Sequence, residues 1–406
     1  MTLTLSEKII SIVPKTIAVK LKTAAEKRIK KEQHPWIFDE SIIKQNKEGK
    51  AGDLAVIFDK RKDAFLACGL YDPNSPIRIK LLQFFNPAKI DQEWIDEKII
   101  CAHHIRKPLL QTDTNAYRLI FGENDGLPGL ITDIYDDVAV VKLYSEIWFP
   151  YLVLLLPSII AQAECRKMVM RLSRNITPAA NRVGLHDGDV IYGKLKDENV
   201  IIREHGVKFK VNVIKGHKTG FFLDHRHNRL AVGRMSKSKH VLDVFSYAGG
   251  FSVHAMTGGA ASVTSLDISG QALDLAQENV KLNIDTQKHK VICGDAFEEL
   301  SLMITEKKKF DIVIIDPPAF AKRAKEIEKA IESYSRLAKL GGQLVKRGGT
   351  LILASCSSRI TADVFFKINK EALRYTSLKL IKKTFHDLDH PIGFKEGAYL
   401  KAGYYE

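Results

Sequence analysis

The sequence predicts an α/β protein: a small β-barrel, then a central α+β region, then a parallel sheet covered by helices on both faces. Three observations carry this. Short β-prone runs separated by turn residues fill residues 15–85. After about residue 216, apolar strands alternate with amphipathic helices, the pattern of a sheet buried on both sides. A chain of 406 residues, 45% hydrophobic and 8% aromatic, has enough apolar surface for two or three packed domains. The boundaries this implies are 1–88, 89–215 and 216–406.

In the first region the β-prone runs are 16–21, 54–58, 65–70 and 77–84, punctuated by Gly49, Gly52, Asp72, Pro73 and Asn74. Before the second run, Lys22, Lys27, Arg28, Lys30 and Lys31 lie near Trp36 and Phe38, the charge-plus-stacking composition of RNA modules, or equally a solvated helix before a strand. The central region predicts helices over 91–105 and 148–162 and strands over 130–133, 139–143, 167–172, 200–204 and 207–213. Its segment FGENDGLPGLITD reads as a tight turn entering a strand. In the third region strands are expected at 241–245, 262–266, 290–293, 311–315 and 350–354. Helices are expected at 250–256, 271–283, 297–304, 325–345 and 362–375.

The charge balance, 62 Lys and Arg against 48 Asp and Glu, leaves +14, which suits a polyanionic partner or, equally from charge alone, a solubilising surface. Half of that surplus lies in residues 1–90, which hold 17 basic and 10 acidic side chains. The longest apolar stretch, 147–160, is interrupted by Pro157 and falls short of the roughly 18–20 residues of a membrane span. No secretory leader is legible, so a cytoplasmic location is expected, with no membrane partner. The five cysteines (Cys68, Cys101, Cys165, Cys293, Cys356) form neither close pairs nor a zinc-ligand cluster, so no disulfide framework and no metal are expected. About four of the five are expected to be buried small hydrophobes.

Ligands of such sheets bind at the carboxyl ends of the strands. The first strand runs into DVFSYAGGFS, where Asp243 precedes a turn allowed by Gly249 and Gly250. The second ends SLDIS, with Asp267 18 residues beyond Gly249, near the roughly 20-residue offset at which an acidic group meets ribose hydroxyls. A helix cap is the plainer role for Asp267, though Ser269 could serve there instead. The third ends VICGDAF, placing Asp295 at a similar depth. The fourth ends IIDPPAF, where Pro317 and Pro318 stiffen a loop that holds Asp316. The fifth ends LILASCSS, with Cys356. If the fourth and fifth strands are neighbours, Asp316 and Cys356 face one crevice.

The set DVFSYAGGFS, SLDIS, GDAF, DPPAFAK and ASCS resembles the Rossmann-like class I S-adenosylmethionine-dependent methyltransferases. More closely, the chain is similar to the bacterial 23S rRNA cytosine-C5 methyltransferases, in which a PUA β-barrel precedes a central α+β domain and the catalytic domain. HPWIF, FGENDGLPGL, KTGFFLDHRHNR, DHP and EGAYLK extend the likeness along nearly the whole chain. The resemblance implies S-adenosyl-L-methionine as cofactor, with Asp267 at its ribose, Asp295 at its adenine and the loop holding Asp243, Ser246, Tyr247 and Gly249 around its methionine and ribose. Phe222, Asp224 and Arg226 would close over it, with Pro317 beside it. His225 stands where Gln is commoner, and Ala338 where Asn is expected.

Cytosine C5 is a poor nucleophile, and a thiolate adding at C6 converts the ring to an enamine able to attack a sulfonium methyl. The resemblance implies Cys356 as that thiolate and Asp316 as the group hydrogen-bonding N3. Ala319 follows the two prolines, so the second cysteine of some RNA cytosine methyltransferases is absent. Two other readings stay open. In an amino-group methyltransferase acting on adenine or guanine, Phe320 would stack on the base and Cys356 would be dispensable. An RNA-binding ribosome assembly factor would use the fold without catalysis. The implied partner is 23S rRNA, free or in an early pre-ribosomal particle, and a homodimer is allowed for.

Overall fold

A computed structural model describes residues 3–60, 64–321 and 323–406. Arg61 to Asp63, inside the expected barrel, and Lys322, the last residue of DPPAFAK, lie outside the described residues. The chain forms two compact units. One comprises residues 1–202, 211–223 and 388–397; the other comprises 203–210, 224–387 and 398–406.

The first unit contains two sheets. Thr16–Leu21, Leu54–Phe58, Phe65–Tyr71 and Ile77–Phe84 form a six-stranded sheet with two strands that lack a clear alternating pattern, Trp36–Phe38 and Ile42–Gln45. Ile17, Val19, Leu21, Ala55, Ile57 and Ile79 alternate inward to build its core, as half-buried strands do. The basic segment is an α-helix, Thr23–Glu32, and Ile29 on its buried face joins the same core. The other sheet orders Val190–Tyr192, Lys167–Leu172, Val138–Leu143, Leu130–Tyr135 and Ala116–Phe121, with helix Gln92–Leu110 packed against it. The apolar 147–160 stretch is a 3₁₀ turn, Glu146–Tyr151, running into helix Leu152–Ala163. Trp148, Leu152, Leu155 and Ile159 bury it in this core.

Two largely buried arginines of this unit are paired with aspartates. The Arg106 guanidinium donates to both carboxylate oxygens of Asp125 at 2.8 and 2.7 Å. Arg118 makes the same fork with Asp133 at 2.8 and 2.9 Å. The late segment 388–397 is threaded into this unit: the Asp389 carbonyl accepts from Arg106, its carboxylate accepts from the Arg118 amide, and Gly393 N–H donates to Asn124 Oδ1. Phe394 packs edge-on against Trp36 at 5.1 Å.

The second unit is built on a seven-stranded sheet: β1 (His240–Val244), β2 (Ser262–Asp267), β3 (His289–Cys293), β4 (Phe310–Ile315), β5 (Val345–Ser355), β6 (Leu380–Thr384) and β7 (Lys401–Tyr405). The order is β3-β2-β1-β4-β5-β7-β6. β1 to β5 are mutually parallel, while β7 runs antiparallel to both β5 and β6. The helices are α1 (Arg226–Met235), α2 (Gly250–Thr257), α3 (Gly270–Lys281), α4 (Ala296–Thr305), α5 (Ile327–Leu344) and α6 (Ala362–Ala372). The reversal of strand order between β1 and β4 opens a crevice at their carboxyl ends, where open α/β sheets take ligands. β5 begins at Val345, five residues before the expected strand, because it continues through a bulge at Arg347 to Gly349.

Candidate active site

The loop after β1 is conformationally demanding. Phe245 (φ 62°), Tyr247 (φ 47°) and Gly249 (φ 76°) all occupy the left-handed region, where residues with a Cβ are uncommon. Gly249 is required for a second reason: a Cβ there would come within 2.8 Å of Ala276 in α3. Its absence thus lets the loop lie on α3, rather than only admitting a ligand. The loop is tied to β2 by the Tyr247 amide, which donates to Asp267 Oδ2 at 2.9 Å. Asp267 Oδ1 accepts from the Ser269 amide, and Ser269 itself caps α3, so Asp267 is not the cap.

Asp243 is buried, with Oδ2 accepting from the Ser252 amide and hydroxyl at 3.0 and 2.6 Å. Its Oδ1 and the Ser246 hydroxyl have no hydrogen-bond partner among the described residues. Burial pushes the Asp243 carboxyl up to about 7, against the lowering effect of Ser252. Orphaned buried polar atoms of this kind are uncommon in a finished interior, and two at one strand end suit a polar ligand. The donor and acceptor set at the ends of β1 and β2 therefore fits S-adenosylmethionine. Asp295 is exposed and caps α4, its Oδ1 accepting from Phe297 and Glu298 amides.

Asp316 and Cys356 follow the neighbouring strands β4 and β5, and Cys356 Sγ is 3.9 Å from Asp316 Oδ1. Pro317 is buried beside Asp316 and Pro318 is exposed. His225, at the start of α1, completes a triangle: its Nε2 is 3.3 Å from Asp316 Oδ2 and 3.8 Å from Cys356 Sγ. It is 2% exposed, and its Nδ1 contacts the Asn228 amide at 3.1 Å. Burial lowers the His225 pKa, but the adjacent Asp316 carboxylate and the more distant Asp224 raise it further, leaving it above the ordinary imidazole range. On β7, the buried Lys401 ammonium donates to the carbonyls of Ser357, Ile360 and Tyr399, fixing the loop that carries Cys356. Burial pulls Lys401 down to about 8, and the charge of Cys356 opposes that shift.

The remaining expected contacts are dispersed. Asp224 is buried and accepts from Tyr399 OH at 2.8 Å. Arg226 is fully buried and pairs with Asp387 and Glu204. Phe222 belongs to the first unit, where it stacks on His217 and lies under Lys218. Phe320 packs edge-on against Tyr334 at 5.1 Å, and Ala338 is fully buried in the core under the sheet. Of the four other cysteines, only Cys68 and Cys165 are buried, each pushed up to about 11 by burial, whereas Cys101 and Cys293 are exposed. The expectation of about four buried thiols is corrected to two, because Cys101 lies on the exposed face of helix Gln92–Leu110 and Cys293 at the exposed end of the edge strand β3. Sequence reasoning gave no role to Asn228 or Lys401 and treated His225 only as a departure. None of the three stands at a parallel strand's carboxyl end, the signal by which the others were found.

The chain matches a family model described as S-adenosylmethionine-dependent methyltransferase over residues 189–402 and a PUA-like domain over 19–84. It is 42% identical over 394 residues to a ribosomal RNA large subunit methyltransferase of Deinococcus radiodurans, covering 95% of this chain and 96% of that protein. It is 35% identical over 378 residues to ribosomal RNA large subunit methyltransferase I of Escherichia coli, covering 91% and 94%. Among solved structures, one named as a SAM-dependent methyltransferase from Streptococcus mutans superposes with a TM-score of 0.81 at 20% identity, over 96% of this chain and 99% of that one. A methyltransferase structure complexed with SAH gives the same score at 22% identity, also over 96% and 99%. The family models and the 42% and 35% identity to relatives aligned over nearly the whole chain agree: the chain belongs to the ribosomal RNA large subunit methyltransferases, S-adenosylmethionine-dependent enzymes with a PUA-like domain near the amino terminus.

Proposed function

We propose that this enzyme forms 5-methylcytidine in large-subunit (23S) ribosomal RNA through a covalent bond between Cys356 and C6 of the target cytosine. The observation that carries the reading is the approach of Cys356 Sγ to Asp316 at the ends of adjacent strands. Asp316 passes a proton to N3 as the sulfur adds at C6, which moves electron density onto C5. Bound S-adenosylmethionine supplies an electrophilic methyl group on a sulfonium centre. Asp243, Ser246, Tyr247, Gly249 and Asp267 hold it in this reading, with Asp224 and Pro317 bordering it and Asp295 at its adenine. The buried Arg226 supports that wall from within.

The target base has to leave its stack to reach Cys356, so an unpaired or flipped cytosine is the substrate, in rRNA that is free or in an early particle. The basic amino-terminal region contributes phosphate contacts. A cytoplasmic enzyme working without a metal, alone or as a homodimer, accords with this chemistry. In the amino-group alternative Phe320 would stack on the base, but here its ring packs on Tyr334.

RNA carrying 5-fluorocytosine tests the reading, because fluorine at C5 blocks elimination of the enzyme after methyl transfer. A stable protein–RNA adduct that disappears in Cys356→Ala is expected. A Cys356→Ala enzyme that still methylates RNA would sink it.

A further inference from the structure

The geometry points to His225 as a catalytic proton carrier that takes the Cys356 thiol proton and returns it, through Asp316, to N3 of the cytosine; the inference rests on the C5 reading above. Three distances define the path. Sγ lies 3.8 Å from His225 Nε2, Nε2 lies 3.3 Å from Asp316 Oδ2, and Asp316 Oδ1 closes the triangle at 3.9 Å from Sγ.

The ring is held from behind in a way that accepts a change of charge. Asn228, one turn along α1, places its Nδ2 3.1 Å from His225 Nδ1, while its Oδ1 accepts from Thr384 Oγ1 and Tyr404 OH, both at 2.8 Å. Hydroxyl groups donate or accept, so the amide can turn over to present its carbonyl to Nδ1 and its NH₂ to the two hydroxyl oxygens. Presented as a carbonyl, it accepts the Nδ1 proton and leaves the Nε2 lone pair for the thiol. The Phe251 edge, at 5.6 Å, limits the ring's tilt.

The charged groups facing the ring favour a proton on it. Asp316 and Asp224 attract it, and the Arg229 guanidinium that opposes it is bound by a fork of 2.7 and 2.6 Å to Glu204. His227, the neighbouring imidazole, is held low by burial. The raised His225 pKa has the same sign as this geometry.

The step balances without a co-reactant. The S–H bond breaks, the S–C6 bond forms, the C5=C6 pair moves to C4–C5, and the C4=N3 pair takes the proton at N3. His225 begins and ends neutral, and Asp316 begins and ends as a carboxylate.

The test follows iodoacetamide alkylation of individual thiols in the full-length protein by peptide mass spectrometry, from about pH 6 to about pH 9. Each thiol is read as its rate relative to its own alkaline plateau, which cancels differences in access, with the exposed Cys101 and Cys293 as internal standards. At about pH 6, the wild-type Cys356 fraction should exceed that of Cys101 by about tenfold, and His225→Gln should abolish the excess while leaving Cys101 unchanged. Asp316→Asn, which removes the carboxylate but keeps its shape, should diminish the excess too, and serves if His225→Gln fails to fold. A wild-type Cys356 profile that tracks Cys101, or one unaltered by both substitutions, overturns the inference. The 5-fluorocytosine adduct is scored on the same samples. Adduct formation without an acid-shifted thiol defeats the proton carrier alone, whereas an acid-shifted thiol without adduct defeats the C5 reading and with it the return of the proton to N3.

Discussion

Buried charge is treated in opposite ways at two places in the molecule, the arginine forks of the first unit and the carboxyl edge of the seven-stranded sheet. At the forks, Arg106 with Asp125 and Arg118 with Asp133, each guanidinium is matched by a carboxylate, and the Asp389 carbonyl takes a further Arg106 donor. At the carboxyl edge of the seven-stranded sheet, Asp243 and Ser246 keep open hydrogen-bonding positions, and His225, Lys401 and Asp243 are all displaced from their ordinary titration ranges. A saturated pair can hold a fold together but has nothing left for a ligand. An unsaturated one costs stability and is retained where chemistry uses it.

The largest expected effect separates these roles. Asp316→Asn should lower RNA methylation by about a hundredfold to ten-thousandfold, the range for loss of a positioned acid–base group, with little change in melting temperature. Asp125→Ala should do the reverse: leaving the Arg106 charge buried and unpaired should cost about 3–5 kcal/mol of stability in denaturant titration, while the folded fraction keeps its turnover number. Equal losses of stability in both variants would erase the distinction.

A smaller effect sharpens it. The Asp243 pKa near 7 lies above its value in an unfolded chain, so its contribution to stability is greatest in acid and is lost as the pH rises through about 7. A cationic cofactor favours the ionised carboxylate, so S-adenosylmethionine affinity should fall by up to about tenfold per pH unit below that point. Calorimetry across this range checks it, and Asp243→Asn should give a flat profile. A wild-type affinity indifferent to pH would show that Asp243 stays ionised without the ligand.

The strands with strict alternation or continuous apolar runs were legible from sequence: Thr16–Leu21, Leu54–Phe58, Ile77–Phe84 and Lys167–Leu172 begin and end where the pattern does. β6 was not, because LIKKT is a polar edge strand with four of its five residues exposed. Nor was β7, whose five buried residues include Lys401 and Gly403 and read as a loop until the strand is paired. At the site, Asp316 and Cys356 were legible because each terminates an apolar strand. The contact of His225 with Cys356 spans 131 residues of chain and leaves no local periodicity. Asp295 shows the converse limit, since a strand-end carboxylate and a helix cap have the same sequence appearance.

The threading of segment 388–397 into the first unit also bears on synthesis. Arg106, Arg118, Asn124 and Trp36 acquire their contacts with Asp389, Gly393 and Phe394 only after almost the entire catalytic sheet has been translated. A nascent chain that stalls before this point carries an unfinished amino-terminal unit and lacks β7, the strand that joins β5 to β6. Neither unit is therefore complete until residues 388–405 have been made, which ties the folding of each to the same late stretch of chain.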